Sequence, residues 1–194
     1  MRSEGVYQKL LPPLTTSRSG LMMLLAGDLG SLTEKQREYI QHIVELDDYM
    51  ISLISSWTDI ERLSKGQVAL ELEACNIGTT IRQLAGQTVE LQRTSKWPMV
   101  LTDPHRLQQM IGNILELFTV VEVRARINDD YCIVTFHDQG NMPPKRRVAI
   151  LEALRADTPA AELGLRIALL LAQAHGGTLE LNPHAKEGLK LHLK

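Results

Sequence analysis

The sequence predicts an α+β protein, a helical hairpin followed by an α/β sandwich with helices on one face of a sheet. Two observations carry that reading. Between Thr33 and Ser64, apolar residues recur at alternating four- and three-residue steps, the pattern of a long amphipathic helix. From Val68 onward, short alternating runs and helical runs follow one another, with Gly and Pro at the joints.

The chain opens with a short lead (Val6, Leu10, Leu11), and Pro12-Pro13 is expected to interrupt any helix there. A first helix then carries Leu14, Leu21, Leu24, Leu25 and Leu29, with Gly27 and Gly30 weakening its end. The long helix starts at a capping box, Thr33 with Gln36. Its seam is Tyr39, Ile43, Leu46, Met50, Leu53, Trp57 and Ile60, widened by Ile40, Val44, Ile51 and Ile54. A face that wide needs more than one partner helix. The hairpin, residues 1–66, is therefore expected to form a four-helix bundle by homodimerisation.

After Lys65-Gly66, residues 67–194 read as the sandwich. Val68–Glu73 alternates as a strand, Asn76–Gln92 reads as a helix, and Trp97–Leu101 as a short strand. Asp103-Pro104 pairs an N-cap with proline at the first helical position, and that helix carries Leu107 through Phe118. Thr119–Ile127 and Tyr131–Phe136 form a hairpin. Pro143-Pro144 opens a helix through Leu154, and 157–161 is loop. Leu163–Ala174 is an apolar helix stopped by Gly176-Gly177, and Thr178–Leu181 and Leu189–Leu193 are the last strands.

Composition narrows function mainly by exclusion. The 194 residues are 44% hydrophobic and 23% charged with a net charge of −2, so bulk electrostatics do not point to nucleic acid. No apolar run reaches the length of a membrane span and no signal peptide is visible, so a cytoplasmic protein is expected. Cys75 and Cys132 lack metal-ligand spacing and read as small buried residues. His105, His175, His184 and His192 show no metal pattern, His42 reads as a solvated helix histidine, and Lys145-Arg146-Arg147 reads as an exposed helix start.

Several stretches resemble the transmitter core of a sensor histidine kinase. They are LTEKQREYI in the hairpin, DPHRLQQMIGNIL leading into an N box, FHDQG as a first glycine box, and ELGLRIALLLAQAHGGTLEL as a second. The resemblance covers roughly Leu14 to Leu193. It implies a dimerisation and phosphotransfer hairpin followed by an ATP-binding domain of the Bergerat type. It also implies that Asn113, Asp138, Gly140 and Gly164 are remnants of the nucleotide site, with Asp138 standing where the family accepts from the adenine amino group.

The departures shape the functional expectation. Where the family carries its phospho-accepting His, this chain has Thr15; the adjacent acid is Thr16, and the following Pro is Gly20. An unactivated hydroxyl is a poor nucleophile at neutral pH. His42, as a solvated helix histidine, is not read as a replacement phospho-acceptor. The Mg²⁺-holding Asn of the N box is Leu117, which offers no oxygen to a hard cation. Phe118 replaces the small Ala, Met142 the next glycine, and Glu162 the leading glycine of the last box. No catalytic residue, no metal site and weak or absent Mg·ATP binding are expected.

The resemblance then implies a non-catalytic dimeric adapter or regulator that binds a response-regulator receiver domain or a histidine kinase. Arg18, Ser19, Met22 and Met23 are the docking candidates. Two alternatives stand beside it, a divergent phosphotransferase with an unorthodox acceptor and a nucleotide-sensing regulator akin to anti-sigma kinases. Both need Mg·ATP or nucleotide binding, so titration separates them from the adapter.

Overall fold

A computed structural model describes residues 4–85, 89–91, 96–128, 131–138, 142–155, 163–181 and 188–193. The chain forms two compact units, Met1–Glu61 and Arg62–Lys194.

The first unit holds α1 (Glu4–Ala26) and most of α2 (Glu34–Ser64). The expected break at Pro12-Pro13 does not occur, for α1 runs through both prolines. Both are exposed, so water can satisfy the carbonyls that lose a partner four residues back. The hydroxyls of Thr15 and Thr16 donate to the carbonyls of Leu11 and Pro12, both at 2.9 Å. The end of α1 is a Schellman cap: Gly27, at φ 88, donates to Leu24 and Asp28 donates to Met23. The capping box of α2 forms as expected, with Thr33 N–H donating to Gln36 Oε1 at 2.9 Å and Gln36 N–H to Thr33 Oγ1 at 3.4 Å.

Three ties fix the antiparallel register of the hairpin. Tyr7 stacks on Trp57 with ring centroids 6.3 Å apart, Arg18 pairs with Asp48, and Arg37 Nη1 donates to the Leu25 carbonyl at 2.9 Å. The apolar face of α2 divides into two sides. Val44 and Asp47 are buried, and Ile40, Ile43, Ile51, Leu53, Ile54, Trp57 and Ile60 are half-buried. Tyr39, Leu46 and Met50 stay 70%, 49% and 40% exposed, so part of the seam has no cover within one chain.

The second unit is built around a five-stranded sheet of order β2-β4-β5-β7-β6. Its strands are β2 (Val89–Leu91), β4 (Val121–Asn128), β5 (Tyr131–His137), β6 (Thr178–Leu181) and β7 (Leu189–Leu193). The β2–β4 pair is parallel and the others are antiparallel. A separate antiparallel pair joins β1 (Glu73–Asn76) to β3 (Met99–Thr102). The helices are α3 (Ile77–Leu84), α4 (Pro104–Leu115), α5 (Pro144–Arg155) and α6 (Leu163–Ala174).

Two expected elements shift. Strand pairing begins at Glu73 and not at Val68, because the partner strand β3 reaches only from Asn76 back to Glu73. The helix expected over Asn76–Gln92 ends at Leu84, and Val89–Leu91 instead extends the sheet beside β4. Gly78 has a packing reason in α3: a Cβ there would lie 2.2 Å from the Trp97 ring.

Side-chain alternation separates the two sheet faces. Val121, Val123, Val134, Phe136, Leu179, Leu181, Leu189 and Leu191 point inward and are buried. Helix α6 packs on β6 and β7 with Leu165, Ala168 and Leu171 buried, and α4 packs on α6 with Leu107, Met110, Ile111 and Ile114 buried. Burial pushes the Cys132 thiol up to about 11, which keeps it protonated and unreactive at neutral pH.

Asp103 caps α4 as expected, accepting from Arg106 N–H at 3.0 Å, and it also accepts from Glu71 N–H at 3.2 Å. His175, at the end of α6, donates through Nδ1 to the Leu171 carbonyl at 2.8 Å, so its Nε2 is left to accept from Asp103 N–H at 3.5 Å. Burial raises the Asp103 carboxyl, but the N–H groups of Arg106, Glu71 and His105 outweigh it and hold it below its ordinary value of 3.8. A carboxyl depressed in the fold stabilises above its unfolded value, and that contribution is lost as pH falls through the folded value. Asp103→Ala should therefore cost about 0.5–2 kcal/mol in urea unfolding at neutral pH, with a smaller deficit in acid once the folded carboxyl is protonated. An equal deficit at both pH values would count against the electrostatic part of this cap.

Candidate functional site

The site remnants lie where α4, β5 and α5 converge. Asp138 follows β5 and is 1% exposed. Its Oδ2 accepts from Met142 N–H at 3.3 Å and from the Arg147 guanidinium of α5. A carboxylate buried this deeply needs a cationic or N–H partner, and here the chain supplies both. Arg147 is thus turned inward, 14% exposed, which corrects the reading of Lys145-Arg146-Arg147 as a wholly exposed helix start. Lys145 and Arg146 do remain exposed.

A cavity of about 190 Å³ opens beside Asp138, lined by Leu117, Phe118, Met142, Pro143 and Arg146 among others. Leu117 and Met142 are themselves buried, at 6% and 8% exposure, so both are packing residues. Phe118 stacks on Phe136 at 6.3 Å between centroids and 7° between planes. At the position where the resemblance implies an Mg²⁺ ligand there is an alkyl side chain, and a hard cation needs oxygen there.

Asn113 and Gly164 come together at a second point. A Cβ on Gly164 would lie 3.1 Å from Asn113 Oδ1, so the start of α6 packs closely on α4. Asn113 Nδ2 is shielded from solvent and has no hydrogen-bond partner among the described residues. Gly140 and Glu162 lie outside the described residues. Among those described, no cluster of three His, Cys, Asp or Glu side chains could hold a metal.

On the hairpin, the Thr15 hydroxyl is directed to its own helix, and Ser19 Oγ donates to the Thr15 carbonyl at 2.9 Å. No carboxylate adjoins Thr15 in sequence. Arg18 is paired with Asp48 across the hairpin. Met22 and Met23 are 44% and 47% exposed on α1. Sequence reasoning missed Arg147 as the partner of Asp138. The available signal was a basic residue one turn into the helix that follows the Asp138 loop.

A helical hairpin followed by this sandwich matches the fold of a histidine-kinase transmitter core, and the chain is similar to known proteins of that kind. The chain is 25% identical to the circadian input-output histidine kinase CikA of Synechococcus elongatus across 93% of its own length. It is 28% identical to the sensor protein ChvG of Agrobacterium fabrum across 90%. It spans 28% and 34% of the length of these two relatives. Full-length ShkA, solved in complex with AMPPNP, matches 97% of this chain with a TM-score of 0.75 at 24% identity, over 44% of its own chain. The Acinetobacter baumannii histidine kinase AdeS matches 95% of this chain and 96% of its own, with a TM-score of 0.62 at 14% identity. No family model matches the chain. Among the described residues, no helix is long and apolar enough to cross a membrane.

Proposed function

We propose that this chain is a non-catalytic, histidine-kinase-like dimeric adapter in two-component signalling, which binds a receiver domain or a histidine kinase. The observation that carries the reading is the Asp138–Arg147 pair. Asp138 stands where the family accepts from the adenine amino group, and a guanidinium of the same chain occupies it. Leu117 at the metal position and Thr15 at the acceptor position support the same conclusion. The residues present do not fit Mg·ATP, so no phosphoryl transfer is assigned to them. The alternatives of an unorthodox kinase and a nucleotide sensor both require a nucleotide to displace Arg147 from a buried carboxylate.

Calorimetric titration with Mg·ATP tests this directly. No saturable binding is expected into the millimolar range. A micromolar, Mg²⁺-dependent dissociation constant abolished by Asp138→Asn would overturn the adapter reading in favour of a live nucleotide site.

Docking is tested on α1. A receiver must approach the position where the family keeps its histidine, so contacts just below Thr15 are the ones that outlast the chemistry. Arg18 and Met22 lie four residues apart on one face, and Met23 adjoins them. Exposed Met side chains suit an adaptable partner surface. Met22→Glu should weaken receiver binding by about 1–3 kcal/mol while dimer mass and melting temperature stay unchanged. Unchanged affinity, or affinity lost together with the dimer, would count against this surface.

A further inference from the structure

The outward face of the five-stranded sheet carries a concavity distinct from the one beside Asp138. Strand register sets its layout. Arg124 lies across from Thr135, and Thr135 across from Lys190. Two residues along, Arg126 lies across from Ile133, and Ile133 across from His192. Side chains two apart on a strand share a face, so all of these point outward together. Thr135 is short and its row neighbours are long, so the row dips at its centre. The resulting cavity is about 250 Å³, lined chiefly by Arg124, Arg126, Ile133, Thr135, His137 and Lys190.

Two guanidinium groups, a lysine, a hydroxyl and an imidazole thus converge on one hollow, and no described carboxylate lines it. Two carboxylates flank it. Glu122 accepts from Arg124 Nε and Nη2, both at 2.9 Å, and Glu180 lies across from Lys190. The Glu122 contact draws two donors of Arg124 towards the rim, so Arg126 is the better reporter of the hollow itself. The floor is dry: Ile133 is 6% exposed although it faces outward. Charges above a dry floor are screened less than on an open surface. His192 Nε2, on the same face, is shielded from solvent with no hydrogen-bond partner among the described residues. Shielded polar atoms are normally paired, so this face is incomplete as it stands.

We propose that this hollow binds a compact small-molecule oxyanion carrying at least two negative charges. Arginine forks match paired oxygens, lysine adds a point charge, and the Thr135 hydroxyl can donate from below. The volume lies just under the roughly 300 Å³ at which pockets for drug-sized ligands begin, which favours a compact ligand. Phosphorylated and polycarboxylate molecules share this chemistry. The site is independent of the nucleotide remnant, since it uses the opposite face of the sheet.

The full chain should be titrated by calorimetry at constant ionic strength without Mg²⁺, once with pyrophosphate and once with tricarballylate. Saturable binding of at least one is expected, and the one that binds identifies phosphate or carboxylate as the source. Arg126→Ala and Lys190→Ala should each weaken it at least about tenfold with melting temperatures retained. Arg146→Ala, at the other cavity, should leave it unchanged. The proposal is overturned if neither anion gives saturable heat, if both variants bind as the wild type does, or if Arg146→Ala weakens binding as much as they do.

Discussion

Phe136→Ala should lower the unfolding free energy of the second unit by about 3–5 kcal/mol, the range for emptying a fully buried aromatic site. Phe136 is 0% exposed on β5, the middle strand of five, and it stacks on Phe118. Its replacement removes that ring contact and leaves a hollow between sheet and helices, and a rigid sheet cannot collapse to fill it. A domain of this size holds only about 5–15 kcal/mol in total, so the variant should sit near the edge of folding. Urea unfolding followed by near-UV circular dichroism reads the loss. A decrease below about 1 kcal/mol would mean that the site relaxes or that Phe136 is not central to the core.

The second large effect is expected at Met50. In one chain Met50 is 40% exposed, and Leu46 and Tyr39 on the same helix are more so. Such a row of apolar side chains is where a second copy is expected to dock if the hairpin forms the four-helix bundle proposed for it. Met50→Asp would place an unpaired charge at the centre of that contact, at a cost of several kcal/mol to association. Light scattering of the wild type should give about twice 21.7 kDa, and the variant should fall to the single-chain mass. Because Met50 is not buried within its own hairpin, the variant chain should keep its helical signal. A wild-type protein that is monomeric at tens of micromolar would remove the basis for the dimer.

Much of the fold was legible where local chemistry is strong. The capping box at Thr33, the N-cap at Asp103, and the helix and strands after Leu163 follow from residues close together in sequence. The failures share a cause, which is tertiary context. Pro12-Pro13 reads as a break, yet on an exposed helical face solvent can take up the freed carbonyls. Val89–Leu91 continues a helical period in sequence, but a parallel neighbour in β4 makes it a strand. The α2 pattern shows how wide the apolar face is and cannot show which part its own partner helix covers; that division emerges only from burial. At the site, the residues at the positions of Thr15 and Leu117 could be read directly, since they depend on identity alone. The engagement of Asp138 by Arg147 could not, because a loop and a turn of helix lie between them.

That engagement also bears on how the protein could change over evolutionary time. Asp138 and Arg147 are a buried pair, and each depends on the other. Losing Arg147 alone would take the cationic partner from a carboxylate that is 1% exposed, and breaking a buried pair in this way costs about 3–5 kcal/mol. On the adapter reading proposed above, substituting Arg147 to open an adenine pocket would lower stability before any binding returned. If that reading holds, the contact acts as a ratchet, and compounds that mimic adenine are expected not to bind this protein.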